Sequence, residues 1–230
     1  MELNTKIGTK DYILLIFNCF KYRHKAERQN DTWLKTIPNN ILYYHVLGNS
    51  DLEKEYIIDD KNHILYVKTP DDYNSLPKKV INAFKTIHKL YNFKYIFKTD
   101  DDQMIEPENI RFFTILMNIL DKQSTYLNLT KKPHYGGNII NIVQPYQSEY
   151  YRIHPELPKN LIISPTKYCS GRFYFLSDDA VHSLIKHDVL NKISSEYLED
   201  YAIGFNLLDN FKTNIMHLDT NKIFKDSDIV

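Results

Sequence analysis

The stretch Tyr95-Ile96-Phe97-Lys98-Thr99-Asp100-Asp101-Asp102 decides how this chain is read. Tyr95, Ile96 and Phe97 favour a strand, and Lys98-Thr99 carry it to the edge of the sheet. Three consecutive carboxylates then crowd negative charge onto one turn. Each raises the pKa of its neighbours unless a cation or a network of donors holds them. Carboxylates clustered at the carboxyl end of a strand suit a hard divalent ion such as Mg²⁺ or Mn²⁺, and open α/β sheets bind ligands at that end. A solvated acidic turn ahead of a helix is the plain alternative, so the flanking sequence has to decide.

Upstream, Leu76, Val80, Ala83, Phe84, Ile87 and Leu90 recur at helical spacing from Ser75 onward, with Pro77 in the first turn. Before that helix stand a short strand, Ile64 to Lys68, a turn at Gly48 to Asp51, and a strand from Ile41 to Leu47. Tyr12 to Cys19 is a continuous apolar run, as expected of a central parallel strand buried on both faces. A polar helix follows it, from Lys21 to Asp31, with Ala26 and Trp33 as its apolar anchors and Pro38 closing it. Downstream of the acidic triplet, Pro107 opens a helix whose apolar set is Ile110, Phe113, Ile115, Leu116 and Ile119. Strand and helix therefore alternate, which predicts an α/β fold with a mostly parallel sheet and helices on both faces.

The second half has a different texture. His134 to Val143 reads as one or two strands bent at Gly136-Gly137, and Gln144 to Pro158 as an irregular aromatic stretch. Pro165 to Ser177 gives a turn and then a strand, Phe173 to Leu176, after which Ser177 caps a helix through Ala180, Val181, Leu184 and Ile185. Glu199 to Leu208 is a short helix, and Thr213 to Leu218 a last strand.

A length of 230 residues allows one sizeable core. The expectation is a single domain over 1–230, with a nucleotide-binding half at 1–120 and an acceptor-side half at 121–230. Lys+Arg 29 balances Asp+Glu 29, which gives no support to binding nucleic acid. Cys19 and Cys169 lack any CxxC spacing and read as free buried thiols. The segment 1–20 has too short an apolar run for a membrane span and no signal-peptide layout, so the expectation is a soluble, cytoplasmic protein. A Golgi or ER lumen fits only if an anchor lies outside this sequence. Asn30 and Asn128 head Asn-x-Ser/Thr sites that matter only in a secreted chain.

No GxGxxG follows the first strand, and no GxxxxGK[ST] occurs. A dinucleotide dehydrogenase and a P-loop NTPase are both disfavoured. Without a glycine-rich cradle, a metal ion together with Lys or Arg must neutralise any diphosphate.

Five segments, in order, resemble those of the beta-1,3-glycosyltransferases of the galactosyltransferase and Fringe-like type. Asp31-Thr32-Trp33 is similar to that family's Thr/Ser-Trp. The run from Asp71 to Lys79, DDYNSLPKK, resembles Asp-x-Tyr-x-Asn-Leu-Thr-x-Lys. Lys98 to Asp102 resembles Lys-x-Asp-Asp-Asp, a DXD-type motif. Pro165 to Gly171 resembles Pro-x-Tyr-x-x-Gly, and Glu199 to Gly204 resembles Glu-Asp-Val-x-x-Gly. Three departures stand out. Asn30 occupies the position of a family arginine, leaving Arg28 or Arg23 to serve. Ser75 and Pro77 replace Asn and Thr. Arg172 follows Gly171 where many relatives carry a small residue.

The resemblance implies a GT-A fold with a smaller mixed or antiparallel part on the acceptor side. It implies an inverting transfer of a hexose (galactose, glucose or N-acetylglucosamine) from a UDP-sugar to a hydroxyl of a glycan or glycoprotein, in a beta-1,3 linkage. It places Mn²⁺ or Mg²⁺ on Asp102 and Asp100, with His217 as a further ligand, and Asp100 and Asp101 in the ribose and phosphate network. Asp72, Tyr73, Lys79 and Arg28 fall on the nucleotide side, with Tyr73 against the uracil and Lys79 offsetting phosphate charge. Asp200 is the general base, with Glu199 as its neighbour in the motif. Tyr168, Gly171, Arg172 and Tyr151 fall on the acceptor side, Tyr151 within a Tyr146-Tyr150-Tyr151 cluster. Homo-oligomerisation is left open. Rival expectations are a nucleotidyltransferase or sugar-nucleotide pyrophosphorylase of similar architecture, and a carbohydrate-binding scaffold without catalysis.

Overall fold

Tyr12–Phe17 are all buried and form β1, at the centre of an eight-stranded sheet. In the computed structural model, which describes residues 6–124 and 132–227, the other strands are β2 (Ile41–Gly48), β3 (Tyr56–Asp59), β4 (Ile64–Val67), β5 (Tyr95–Asp100), β6 (Tyr135–Ile142), β7 (Thr166–Ser177) and β8 (Met216–His217). Their order is β8-β6-β7-β5-β1-β2-β4-β3, and β3 and β7 run against the rest. The helices are α1 (Arg23–Asp31), α2 (Leu76–Leu90), α3 (Phe112–Ser124), α4 (Asp178–Leu184), α5 (His187–Ser194), α6 (Glu199–Asn206), α7 (Asp209–Lys212) and α8 (Thr220–Ile223). A mostly parallel sheet between helices, with an antiparallel portion built on β7, is the arrangement expected of a GT-A-like fold.

Side chains alternate across a strand, and this splits the core in two. Ile13, Leu15, Phe17 and Ile96 pack with Val80, Ile81, Phe84 and Ile87 of α2 and with Ala202 and Ile203 of α6. Tyr12, Leu14, Ile16, Tyr95 and Phe97 pack on the opposite face with Trp33 and with Phe113, Leu116, Met117 and Leu120 of α3. Trp33 is a core residue, as expected of an apolar anchor.

Several local expectations change. Lys98 and Thr99 are 1% and 0% exposed, so they lie inside the sheet and not at its edge. Gly136 and Gly137 do not bend the chain: β6 runs through both. A side chain at Gly136 would enter the Phe175 ring, so glycine is needed for close strand approach. Pro107–Asn109 is a single 3-10 turn, and α3 begins only at Phe112. Ile110, Ile115 and Ile119 stay exposed while Phe113 and Leu116 go inward. The expected last strand shrinks to Met216–His217, because a turn after α7 takes up residues 213 and 214. The strands Tyr56–Asp59 and Gln103–Ile105 and the helix α5 were not legible in the sequence. Both cysteines are free, Cys169 buried and Cys19 partly so. Asn128 lies outside the described residues. No helix among the described residues is long and apolar enough to cross a membrane.

Candidate active site

The loops that follow β1 and β4, the start of α2 and the end of β5 converge on a cavity of about 330 Å³. Asp100, Asp101 and Asp102 line one wall. Asp71, Asp72, Tyr73 and Lys79 line another, with Cys19, Tyr22 and Lys25 between them. These are the strand ends at which the sequence places a ligand.

Burial, with the Asp102 charge added to it, pushes the Asp100 carboxyl up to about 7 although Lys98 opposes the shift. Asp101 is pushed up to about 6, again chiefly by burial and against the pull of Lys25. Lys25 Nζ lies 3.8 Å from Asp101 Oδ1. Arg28, one turn further along α1, is exposed and does not line this cavity. The buried Gln29 braces the turn from beneath, its Nε2 donating to the carbonyls of Asp100 (3.0 Å) and Gln103 (2.8 Å).

Lys79 is 3% exposed, so it is not a solvated helix lysine. Its ammonium lies 2.6 Å from Asp71 Oδ1 and donates to the Asn18 carbonyl at 2.9 Å. The Asp71 carboxylate also accepts from the amides of Gly48 (2.8 Å) and Phe20 (2.7 Å). One ion pair thus ties together the loops after β1, β2 and β4. Asp72 Oδ1 accepts from the Ser75 amide at 2.8 Å, ahead of α2. Tyr73 stacks on His154, with ring centroids 3.9 Å apart and planes 8° from parallel. Burial, and after it the Asp200 charge, pushes the Tyr73 hydroxyl up to about 12.

The acidic turn meets the Glu-Asp motif through Lys98. Its Nζ lies 2.8 Å from Asp100 Oδ1 and 2.9 Å from Glu199 Oε2, and donates to the Gly171 carbonyl at 2.8 Å. Burial disfavours the ammonium, but Asp100 and Glu199 outweigh it and hold its pKa above the ordinary lysine range. The other Glu199 oxygen accepts from the Tyr174 hydroxyl at 2.5 Å. Glu199 is therefore enclosed and fully engaged. Asp200 differs: it is only half-buried, with Oδ2 accepting from the Gly171 amide and Oδ1 from the Tyr201 amide, both at 2.8 Å. Burial, reinforced by Glu199, raises its pKa.

Gly171 sits where these contacts cross, its N–H on Asp200 and its carbonyl on Lys98. The register of β7 against β6 shifts between Cys169 and Tyr174, a bulge that re-aims this backbone. Tyr168 is 9% exposed and packs edge-on against Tyr201, at 5.9 Å between centroids. Tyr146 and Tyr150 are exposed, and Tyr151 is half-buried in the 3-10 turn Tyr150–Arg152. The Arg172 guanidinium points to the carboxyl-terminal strand, donating to Gln103, Phe224 and Asp226. His217 is exposed at the end of β8, opposite Gly137, and is not part of the cavity wall.

Among the described residues no three His, Cys, Asp or Glu side chains converge as a ready-made metal cage. The carboxylates of Asp100 and Asp102 suit a different kind of site, in which one or two protein carboxylates are joined by substrate phosphates and water. Burial is the largest cause of the raised Asp100 and Asp101 pKa values, and a cation bound beside them would oppose it. The donor set fits a hard divalent cation.

A galactosyltransferase family model matches residues 25–219. The chain belongs to that family. Among its relatives, UDP-GalNAc:beta-1,3-N-acetylgalactosaminyltransferase 1 of Mus musculus is 27% identical over 216 residues, spanning 93% of this chain and 55% of that protein. The Homo sapiens protein of the same name is 29% identical over 157 residues, 67% of this chain and 43% of that one. This galactosyltransferase-family chain thus spans about half the length of these relatives. A solved glycosyltransferase involved in the glycosylation of the major capsid of PBCV-1 aligns with 91% of this chain and 81% of its own, at 12% identity and a TM-score of 0.39.

Lys98, Asp71, Lys25, Gln29 and Gln103 were missed as site residues. Asp71 and Lys98 both stand in segments that resemble the family's motifs, and Lys98 left a physical signal as well: a charged residue inside an apolar strand must meet an opposite charge when the strand is buried.

Proposed function

We propose that this chain is an inverting, UDP-sugar-dependent glycosyltransferase that moves a hexose to a hydroxyl of a glycan or glycoprotein in a beta-1,3 linkage. The observation that carries the reading is the Lys98 bridge. It joins the acidic turn, suited to a metal-bound diphosphate, to the helix end that presents Asp200. Asp200 takes the proton of the acceptor hydroxyl as its oxygen attacks the anomeric carbon. The bond from that carbon to the diphosphate oxygen breaks, and its electron pair leaves with UDP. Its raised pKa strengthens Asp200 as a base, while the Gly171 and Tyr201 amides fix its direction. Glu199, held by Lys98 and Tyr174, positions the helix end.

Asp102 and Asp100 would hold the cation, and a bound Mn²⁺ or Mg²⁺ would stabilise the charge on the departing diphosphate. Tyr73 and Asp72 border the nucleoside side. The exposed rings of Tyr146 and Tyr150 offer flat apolar faces to an acceptor sugar, and Tyr146 lies close enough to feel the Asp200 charge.

Two measurements test the reading. UDP should raise the melting temperature in the presence of Mn²⁺ and much less without it. UDP release should then single out a donor from a panel of UDP-galactose, UDP-glucose, UDP-N-acetylglucosamine and UDP-N-acetylgalactosamine, the last because that sugar names the mouse and human relatives. Absence of both responses would leave a carbohydrate-binding scaffold.

A further inference from the structure

A second network ends on Asp102, and its members come from three distant parts of the chain. Gln103 is 4% exposed. Its Nε2 donates to Asp102 Oδ1 and to Asp226 Oδ1, both at 2.8 Å. Its Oε1 accepts from Arg172 Nη1 at 2.9 Å. Arg172 Nη2 in turn reaches Asp226 Oδ2 at 3.0 Å, and Nη1 also donates to the Phe224 carbonyl at 3.1 Å. The backbone closes the same ring. Phe224–Asp226 pairs antiparallel with Gln103–Ile105, and the Ser227 amide donates to the Asp102 carbonyl at 2.6 Å.

The chemistry of an amide makes this arrangement directional. A primary amide has two N–H donors on one end and only acceptor capacity on the other. Turned over, Gln103 would set its oxygen against two carboxylates and its NH₂ against a guanidinium. Arg172 and Asp226 therefore allow one orientation, and in that orientation an N–H meets Asp102 Oδ1. Asp102 Oδ2 accepts no hydrogen bond among the described residues. This also accounts for Arg172, which departs from the pattern of the family at a position beside Gly171.

We propose that Asp226 and Arg172 are positioning residues that fix the Gln103 amide and, through it, the direction of the Asp102 carboxylate that receives the divalent ion. The proposal rests on the assignment of Asp102 to that ion. Partners that orient a metal-binding side chain contribute about 10–100-fold to metal affinity.

The test is the affinity for Mn²⁺ at saturating UDP, read by titration calorimetry, together with the electron paramagnetic resonance spectrum of the bound Mn²⁺. The side chain of Asp226 is 64% exposed, so Asp226→Ala keeps the core intact. The expected result is a loss of Mn²⁺ affinity of about 10–100-fold and a broadened spectrum, while Asp226→Asn, which retains an acceptor for Gln103, stays closer to wild type. Arg172→Lys, which keeps the charge but not the two-armed donor, should resemble Asp226→Ala and provides the same readout should that variant fail to fold. Unchanged Mn²⁺ affinity in both, with only a lower melting temperature, would overturn the positioning role alone. No Mn²⁺ binding by the unsubstituted chain with UDP would overturn this proposal together with the metal assignment beneath it.

Discussion

Lys98 Nζ lies 2.9 Å from Glu199 Oε2, and the two side chains are 1% and 3% exposed. A buried pair of this kind is costly to break from one side, because the remaining charge is left without a partner or water. Lys98→Met should lower unfolding free energy by about 3–5 kcal/mol. Glu199→Gln, which keeps hydrogen-bonding atoms for Tyr174 and Lys98, should cost clearly less. Urea denaturation of both variants and of Lys98→Met/Glu199→Gln measures the coupling. A double variant as unstable as the sum of the two single ones would refute the pairing.

Asp200 and Glu199 are neighbours with different partners. Asp200→Asn should lower transfer by about 10²–10⁴-fold while UDP and Mn²⁺ affinities stay near wild type, since a base acts in turnover more than in donor binding. Calorimetry and initial rates on the same preparations decide this. A large loss of UDP affinity would move Asp200 to the nucleotide side.

Glycine at position 204 sits inside α6, where alanine is ordinarily the better helix former by about 1 kcal/mol. Here a Cβ would run into the backbone and Cβ of Tyr168. Gly204→Ala should therefore destabilise, by about 1–3 kcal/mol, because overpacking outweighs propensity. Since Tyr168 and Gly171 share β7, transfer rate should fall with it. A stabilised Gly204→Ala protein would show that α6 does not press on β7 this closely.

His45 supplies a pH dependence. It is 3% exposed, and burial, assisted by the nearby His63, pulls its pKa down to about 4. The folded state thus binds a proton less readily than the unfolded state. The stability tied to neutral His45 is complete above about pH 6.5 and is lost as pH falls from there toward 4, on the order of 3 kcal/mol in all. Denaturation midpoints between pH 7 and 5 should fall for the wild type and fall less for His45→Gln. Parallel slopes would assign the change to other groups.

The α/β alternation was legible because it is written in local periodicity: helical spacing in α2 and an unbroken apolar run in β1. The acidic turn was legible because a strand followed by three carboxylates has few structural uses. Two expectations failed where geometry, not periodicity, decided. Ile115 and Ile119 joined Phe113 in one apolar set, yet only the Phe113 side of α3 meets the sheet. The pair Gly136-Gly137 suggested a bend, whereas the bulk of Phe175 on the next strand is what requires glycine there.

The sequence by itself determined the alternation of the main strands and helices, and it carried the Asp-rich and Glu-Asp motifs of the candidate site. Only the tertiary structure decided which member of each motif faces which partner. Asp71, not Asp72, meets Lys79; Glu199 is enclosed by Lys98 and Tyr174 while Asp200 remains partly open. The reason is physical. Adjacent residues on a helix point about 100° apart, so Glu199 and Asp200 at the start of α6 face different surroundings, and α6 lies close against β7 at Gly204 and Tyr168. That contact joins residues far apart in the chain, so no local pattern in the sequence records it.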